Sequence, residues 1–170
     1  MFYTKKIKTP LGEMLAIKSD KGLCMLEFLD GKSTEKQLKE IETLGEIIDQ
    51  NDDEVLMKLE SELNEYFDGN LKEFTIPLDL IGTEFQKKVW NELIQIPFGE
   101  TKSYKDQAIA VGDLLAIRAV ANANGKNKIA IVVPCHRVIG SDGSLTGYAG
   151  GKHRKQFLLE LESKQFNLFQ

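Results

Sequence analysis

The sequence has few of the residues that build disulfide frameworks or metal sites. Its 170 residues include two cysteines, Cys24 and Cys135, and two histidines, His136 and His153. Two cysteines do not make a disulfide framework, and these four residues lack the spacing of zinc ligands. We therefore expect reduced thiols, no metal and no cofactor.

Long apolar segments are missing as well. No run approaches the roughly 20 apolar residues that a membrane span needs, and residues 1–6 lack the apolar core of a signal peptide. No heptad pattern or long edge strand suggests assembly. These absences predict a cytoplasmic monomer that makes no membrane contact and needs no obligate protein partner.

Acidic and basic residues are unevenly distributed along the chain. Residues 1–80 hold 10 Lys and Arg against 18 Asp and Glu, a balance of −8, whereas residues 81–170 hold 12 against 8, a balance of +4. A polyanion would be repelled by the first part and attracted to the second. A chance fluctuation of surface charge explains the pattern equally well. The asymmetry therefore permits DNA binding without requiring it.

The first half of the chain has the pattern of a small α/β domain. Three strand-like runs separated by turn signals cover residues 2–7, 12–18 and 22–28. Two helical patterns follow over residues 33–48 and 52–67. Residues 74–80, around Pro77, fit either an edge strand or a linker. We place the domain boundary between residues 80 and 81, where the charge balance also changes.

The second half begins with helical patterns. Thr83 is positioned to cap a helix, and Ser103 begins a shorter one. After a turn at Gly112, Asp113 can cap a further helix over residues 114–123. Two short helices joined by a tight glycine turn are typical of a helix-turn-helix, although this signal is weak by itself.

An apolar run over residues 129–133 predicts a buried extended segment that leads to Cys135. Cysteine is a useful nucleophile only as a thiolate, which a nearby imidazole can generate. Neighbouring side chains of an extended segment point to opposite faces, so contact between Cys135 and His136 requires a turn or a bridging water. Glu162, in a helical pattern over residues 155–162, is a candidate to orient the base.

A cysteine after an apolar run is nevertheless more often a small core residue, and this is the interpretation that we give to Cys24. From the residues alone, the second half is either a thiol enzyme or a DNA-binding module, and neither is excluded.

Spaced motifs in the second half carry a more specific signal. They are Gly82-Thr83-x-Phe85-Gln86-x-x-Val89-Trp90, Ile96-Pro97-x-Gly99-x-Thr101-x-Ser103-Tyr104, Arg118-Ala119-Val120, Pro134-Cys135-His136-Arg137-Val138, Gly147-Tyr148-x-Gly150-Gly151 and Leu158-Leu159-x-x-Glu162. In this order they resemble the O6-alkylguanine-DNA alkyltransferases, also called methylated-DNA–protein-cysteine methyltransferases. The resemblance implies an α+β chain. A ribonuclease-H-like α/β domain would occupy residues 1–80, and a mostly helical, winged helix-turn-helix-like domain would occupy residues 81–170, bind DNA and accept the alkyl group.

The resemblance also implies roles for the residues around the thiol. Cys135 would take the alkyl group from O6 of guanine in one in-line displacement, irreversibly and once per molecule. His136 would act as its base through water, held by Glu162. Tyr104 would hydrogen-bond the guanine ring and help to supply a proton to it, and Asn127 would tie the helix-turn-helix to the active-site turn.

The implied partner is double-stranded DNA, bound in the minor groove with the alkylated guanine flipped out of the stack. Arg118 would fill the space that the base leaves, and Ser103 and Ala119 would make further DNA contacts. The walls of the base pocket would be Tyr104, Val138, Tyr148 and Ala149.

One position departs from the family pattern, because Lys128 follows Asn127 where proline is usual. We still expect activity on O6-alkylguanine, and the function implied by the resemblance includes O4-alkylthymine. The alternatives are a non-catalytic protein that only binds alkylated bases, and a winged-helix regulator with a structural cysteine. A thiol hydrolase is disfavoured, since a thioether has no easy route of hydrolysis.

Overall fold

The computed structural model describes residues 1–168, with side chains described up to Lys164. The chain divides into two compact units, Met1–Ile81 and Gly82–Gln170. The first is built on a β-sheet and the second mostly from helices, which confirms the predicted α+β class. A search of the described residues finds no helix with the length and hydropathy of a membrane span.

A four-stranded sheet organises the first unit. Its strands are β1 (Phe2–Thr9), β2 (Gly12–Lys18), β3 (Leu23–Phe28) and β4 (Ile47–Asp49), in the order β3-β2-β1-β4. The first three form an antiparallel meander, in which Thr9 pairs with Gly12 at the first turn. The three strand-like runs expected from the sequence are therefore confirmed.

The helices of this unit are α1 (Thr34–Glu42) and α2 (Glu54–Phe67). The Asp53 carboxylate starts α2 by accepting hydrogen bonds from two backbone N–H groups of its first turn, at 2.9 and 3.0 Å. The prediction of one helix over residues 33–48 is wrong beyond α1. Ile47 and Ile48 lie in β4, parallel to β1, where β-branched side chains pack well.

Residues 74–80 form only an isolated bridge beside β3. Leu23 N donates to the Pro77 carbonyl at 2.8 Å, and Leu23 bridges to Leu78. Gly22 permits this approach, because a Cβ at that position would lie 2.5 Å from the Pro77 oxygen. The segment is thus neither a full edge strand nor a detached linker.

The second unit is mostly helical. Its elements are α3 (Glu84–Ile94), β5 (Lys102–Ser103), α4 (Tyr104–Val111), a 3₁₀ turn (Leu114–Ala116), α5 (Ile117–Gly125), a second 3₁₀ turn (Cys135–Arg137), β6 (Val138–Ile139) and α6 (Lys152–Leu168). The predicted cap of α3 is confirmed as a capping box between Thr83 and Gln86. The Trp90 indole of α3 donates to the carbonyl of Ala123 in α5 at 2.8 Å, so α3 supports α5 directly.

The helix pair α4 and α5 follows the expected pattern with one difference. Ser103 caps α4 by accepting from Asp106 N at 3.0 Å, and Gly112 ends it with φ 101°. The predicted single helix over residues 114–123 is instead a 3₁₀ turn followed by α5. Asp113 caps the 3₁₀ turn, accepting from Leu115 N at 2.9 Å, and therefore does not start α5 itself.

Candidate active site

The segment before Cys135 is a series of tight turns. Ile131 has φ 71°, Val132 N donates to the Ala130 carbonyl at 2.8 Å, and Val133 N donates to the Ile129 carbonyl at 3.0 Å. The prediction of an extended run over residues 129–133 is therefore wrong, although the run is largely buried as expected. A left-handed backbone at a β-branched residue is strained and persists only where its surroundings impose it.

Asn127 provides that constraint. Its side chain is buried, with Nδ2 donating to the Val133 carbonyl at 2.9 Å and Oδ1 accepting from Ile129 N at 3.0 Å. Asn127 follows α5 by two residues. One amide thus joins the end of the helix pair to the turn that leads to Cys135.

Cys135 and His136 lie on the 3₁₀ turn, not on a strand. A 3₁₀ turn has about three residues per turn, so adjacent side chains diverge by about 120°. Cys135 is half-buried, whereas His136 is fully buried. Nδ1 of His136 is buried without a hydrogen-bond partner among the described residues, and it is the ring nitrogen that remains for a bridging water.

The other ring nitrogen of His136 contacts Glu162 on α6, with Nε2 to Oε2 at 2.7 Å. Arg137 holds the same carboxylate from Nε at 2.8 Å and from Nη2 at 3.1 Å. Burial by itself would raise the pKa of Glu162. The charges and hydrogen bonds of His136 and Arg137 outweigh it and hold that pKa well below its usual range. The carboxylate is therefore ionised at any physiological pH.

Arg137 was not singled out from the sequence as a functional residue. Its Nη1 donates to the Ile96 carbonyl at 2.7 Å, and its guanidinium lies 5.8 Å from the centroid of the Phe98 ring. Arg137 therefore links the Glu162 carboxylate to the segment that follows α3. Its position directly after His136 in the sequence was the signal that could have identified it.

Lys155, at the start of α6, was also missed. Its side chain is only 1% exposed, and Nζ lies 6.0 Å from the Tyr104 ring centroid. Burial lowers the pKa of Lys155, and the negative charge of a Cys135 thiolate opposes that shift. Lys155, Leu158 and Glu162 share one helical stripe at i, i+3 and i+7, and all three side chains are buried.

Tyr104 is the first residue of α4 and is half-buried. The parallel pairing of β5 with β6 places it beside the segment that leaves the 3₁₀ turn. Its hydroxyl shares a hydrogen bond with Thr146 of the glycine-rich segment. Ser103 uses its hydroxyl as the cap of α4.

The expected pocket walls are Val138, Tyr148 and Ala149. Val138 in β6 and Tyr148 are buried, and Ala149 is half-buried. Gly151 N donates to the Tyr148 carbonyl at 2.9 Å, which closes a turn at this point of the glycine-rich segment.

Arg118 and Ala119 are exposed on α5, outside the buried network around the thiol. Lys128, where proline was expected, is buried with Nζ 5.5 Å from the Trp90 ring centroid. No group of three or more His, Cys, Asp or Glu side chains within the described part of the chain is arranged to hold a metal ion.

Comparison with known proteins adds to this geometry. The family model described as 6-O-methylguanine DNA methyltransferase, ribonuclease-like domain, matches residues 1–80, and the DNA binding domain of the same description matches residues 84–164. A methylated-DNA–protein-cysteine methyltransferase of Methanosarcina barkeri is 46% identical over 160 residues, covering 94% of this chain and 96% of the relative. The constitutive methylated-DNA–protein-cysteine methyltransferase of Bacillus subtilis is 42% identical over 168 residues, covering 95% and 96%.

Solved structures agree with these relatives. The crystal structure of Mycobacterium tuberculosis O6-methylguanine methyltransferase superposes with a TM-score of 0.85 at 40% identity, over 100% of both chains. A structure of the Mycobacterium tuberculosis OGT in complex with DNA gives a TM-score of 0.84, also at 40% identity, over 99% of both chains.

Proposed function

Because this chain belongs to the 6-O-methylguanine DNA methyltransferase family, we propose that it repairs DNA by taking the alkyl group of O6-alkylguanine onto Sγ of Cys135. The full-length likeness to methyltransferases supports DNA repair by alkyl transfer and does not favour a lesion binder or a regulator. The observation that carries the assignment to Cys135 is the buried 2.7 Å hydrogen bond between Glu162 and His136, the residue that follows Cys135 on the same 3₁₀ turn.

The contact with Glu162 supports a separate role for each ring nitrogen of His136. Nε2 is engaged by the Glu162 carboxylate, so Nδ1 is the atom that takes the Cys135 proton, through one water molecule. The carboxylate stabilises the imidazolium that forms, and the Lys155 ammonium stabilises the thiolate. The thiolate then attacks the alkyl carbon.

In that step the S–C bond forms as the C–O6 bond breaks, and the electron pair of the broken bond stays on guanine. Tyr104 donates a proton to the guanine ring, and the proton held by His136 restores the Tyr104 phenol through solvent. The products are an S-alkylcysteine and guanine. Since a thioether has no easy hydrolysis route, each molecule acts once and no cofactor is consumed.

The alkylated base must leave the duplex to reach Cys135. Arg118, exposed on α5, fills the vacated space from the minor groove, and Ala119 and Ser103 lie against the DNA backbone. Val138, Tyr148 and Ala149 bound the pocket for the flipped guanine, with Tyr104 at its side. Residues 81–170 carry both functions, and O4-alkylthymine is a second substrate. The protein works in the cytoplasm as a monomer without an obligate protein partner.

The test is a single incubation with duplex DNA that contains one O6-methylguanine, followed by intact and peptide mass spectrometry. We expect a gain of one CH₂, confined to the Cys135 peptide and stopping at one equivalent. Cys135→Ala should gain nothing, while Cys24→Ala, the matched control in the core of the first unit, should behave as the wild type. Repaired DNA with an unchanged protein mass would overturn the proposal.

A further inference from the structure

The turn between α4 and α5, together with the helix ends beside it, exposes a cluster of large apolar side chains, here called the leucine turn. Its members are Ile109, Leu114, Leu115 and Ile117. Leu115 is 94% exposed. No other nine-residue stretch of the described chain exposes as many large apolar residues.

The local backbone holds these side chains outward. Gly112 reverses the chain with φ 101°, its N–H donating to the Ala108 carbonyl at 3.1 Å. Asp113 then caps the 3₁₀ turn through Leu115 N. Hydrogen bonds thus fix the backbone on both sides of Leu114 and Leu115, and with this backbone both side chains are exposed.

The position of Leu115 relative to Arg118 indicates which partner binds this surface. Leu115 precedes Arg118 by three residues, and side chains at i and i+3 lie on the same face of a 3₁₀ or α-helical turn. The leucine turn is therefore continuous with the exposed face of α5. That face lies within the residues that match the family's DNA binding domain. A duplex offers apolar surface there, in the sugar edges of the minor groove and in base faces uncovered by unstacking.

We propose that Leu115 is an apolar wedge that packs into the minor groove beside Arg118 and holds the opened duplex, with Leu114 supporting it. This inference rests on the proposed function, since it requires a duplex with a displaced base. An apolar contact releases no counterions, whereas a phosphate contact does. Removing the wedge must therefore weaken duplex binding without altering its dependence on salt.

The experiment compares Leu115→Ser with Leu44→Ser, an exposed leucine of the first unit at 58%. Every protein in this comparison also carries Cys135→Ala, because the intact thiol would consume the lesion, and Cys135→Ala alone is the reference. Dissociation constants are measured at several salt concentrations for an O6-methylguanine duplex and for the same strand alone. We expect Leu115→Ser to bind the duplex about tenfold more weakly, which is the loss expected when the burial of one leucine side chain is removed. The slope of affinity against salt concentration should not change. The affinity of Leu115→Ser for the single strand should change little, because binding there opens no base pair. Leu44→Ser should match Cys135→Ala alone throughout.

Other results would overturn the wedge. Equal losses on duplex and single strand would make Leu115 a general strand contact, and a reduced salt slope would place it on phosphates. Duplex binding by Leu115→Ser equal to that of Cys135→Ala alone would mean that the leucine turn does not touch DNA. Sedimentation in which the wild type dimerises and Leu115→Ser does not would assign the surface to a second copy. Failure of the proposed function is separate, because the wild type itself would then gain no methyl group.

Discussion

The side-chain amides of Gln107 and Asn124 exchange two hydrogen bonds. Gln107 Nε2 donates to Asn124 Oδ1 at 2.7 Å, and Asn124 Nδ2 donates to Gln107 Oε1 at 2.6 Å. Both side chains are buried, and the pair joins α4 to α5. A polar group that loses its buried partner carries the full cost of desolvation. The reciprocal pair therefore fixes how the two helices are held together.

We predict that Gln107→Ala and Asn124→Ala each lower the free energy of unfolding by about 1–3 kcal/mol. The double variant should lose less than the sum, because the second substitution removes a group that is already unpaired. Urea denaturation measures all three, with the exposed Gln95→Ala as control. Strict additivity would contradict the coupling.

Glu162→Gln tests the buried ionic contact at the thiol turn. Breaking one partner of a buried pair costs about 3–5 kcal/mol, so the variant should be markedly less stable at neutral pH. The folded-state pKa of Glu162 is depressed, so its contribution to stability is complete above the unfolded value of about 4.5 and is lost as the pH falls below it. The stability difference from wild type should therefore be constant from pH 8 to about 5 and shrink in acid. Glu160→Gln, exposed on the same helix, is the control.

Lys155→Met tests the charge partner of Cys135. Loss of a buried cation destabilises the thiolate, so the pH midpoint for alkylation of Cys135 by iodoacetamide should rise by about one unit. Lys155→Arg keeps the charge and should retain most of the wild-type profile. Lys152→Met, which removes an exposed lysine from the same helix, should not move it. An unchanged midpoint in Lys155→Met would mean that Lys155 does not stabilise the Cys135 thiolate and that His136 alone does.

The buried Glu27 should make the stability of the first unit depend on pH. It lies buried in β3, and burial raises its pKa to about 8, against a smaller opposing effect of the Gln37 hydrogen bond. The folded state therefore binds the proton more tightly than the unfolded state. The stability associated with protonated Glu27 is complete below about pH 4.5 and is lost as the pH rises through about 8. Thermal melts of Glu27→Gln should lack this decline, whereas Glu35→Gln, exposed on α1, should keep it.

Local signals in the sequence predict much of this fold. The caps at Thr83 and Ser103 depend on hydrogen bonds within one helical turn, and the meander depends on short alternating runs between turn residues. Such features need no distant partner. β4 needs a distant partner, because it is a strand only through its pairing with β1, more than 40 residues away in sequence. The local pattern of these residues favours a helix.

The site was predictable in composition more than in conformation. The order of motifs identified Cys135, His136 and Glu162 together, but the path of residues 129–133 is decided by the Asn127 side chain, which no apolar periodicity reports. Lys155 was missed because lysine is rarely buried. Its spacing from Glu162 becomes informative only once that residue is known to point inward.

Two opposite charges that act on the thiol turn are borne by one helix. Lys155 and Glu162 lie two turns apart on α6, both only 1% exposed. Fraying of that helix would withdraw the ammonium and the carboxylate simultaneously, while the sheet and α3 to α5 kept their own hydrogen bonds. Loss of thiol reactivity on heating should accordingly precede the main unfolding transition. Cys135 would then serve as a built-in reporter of whether the C-terminal helix is docked.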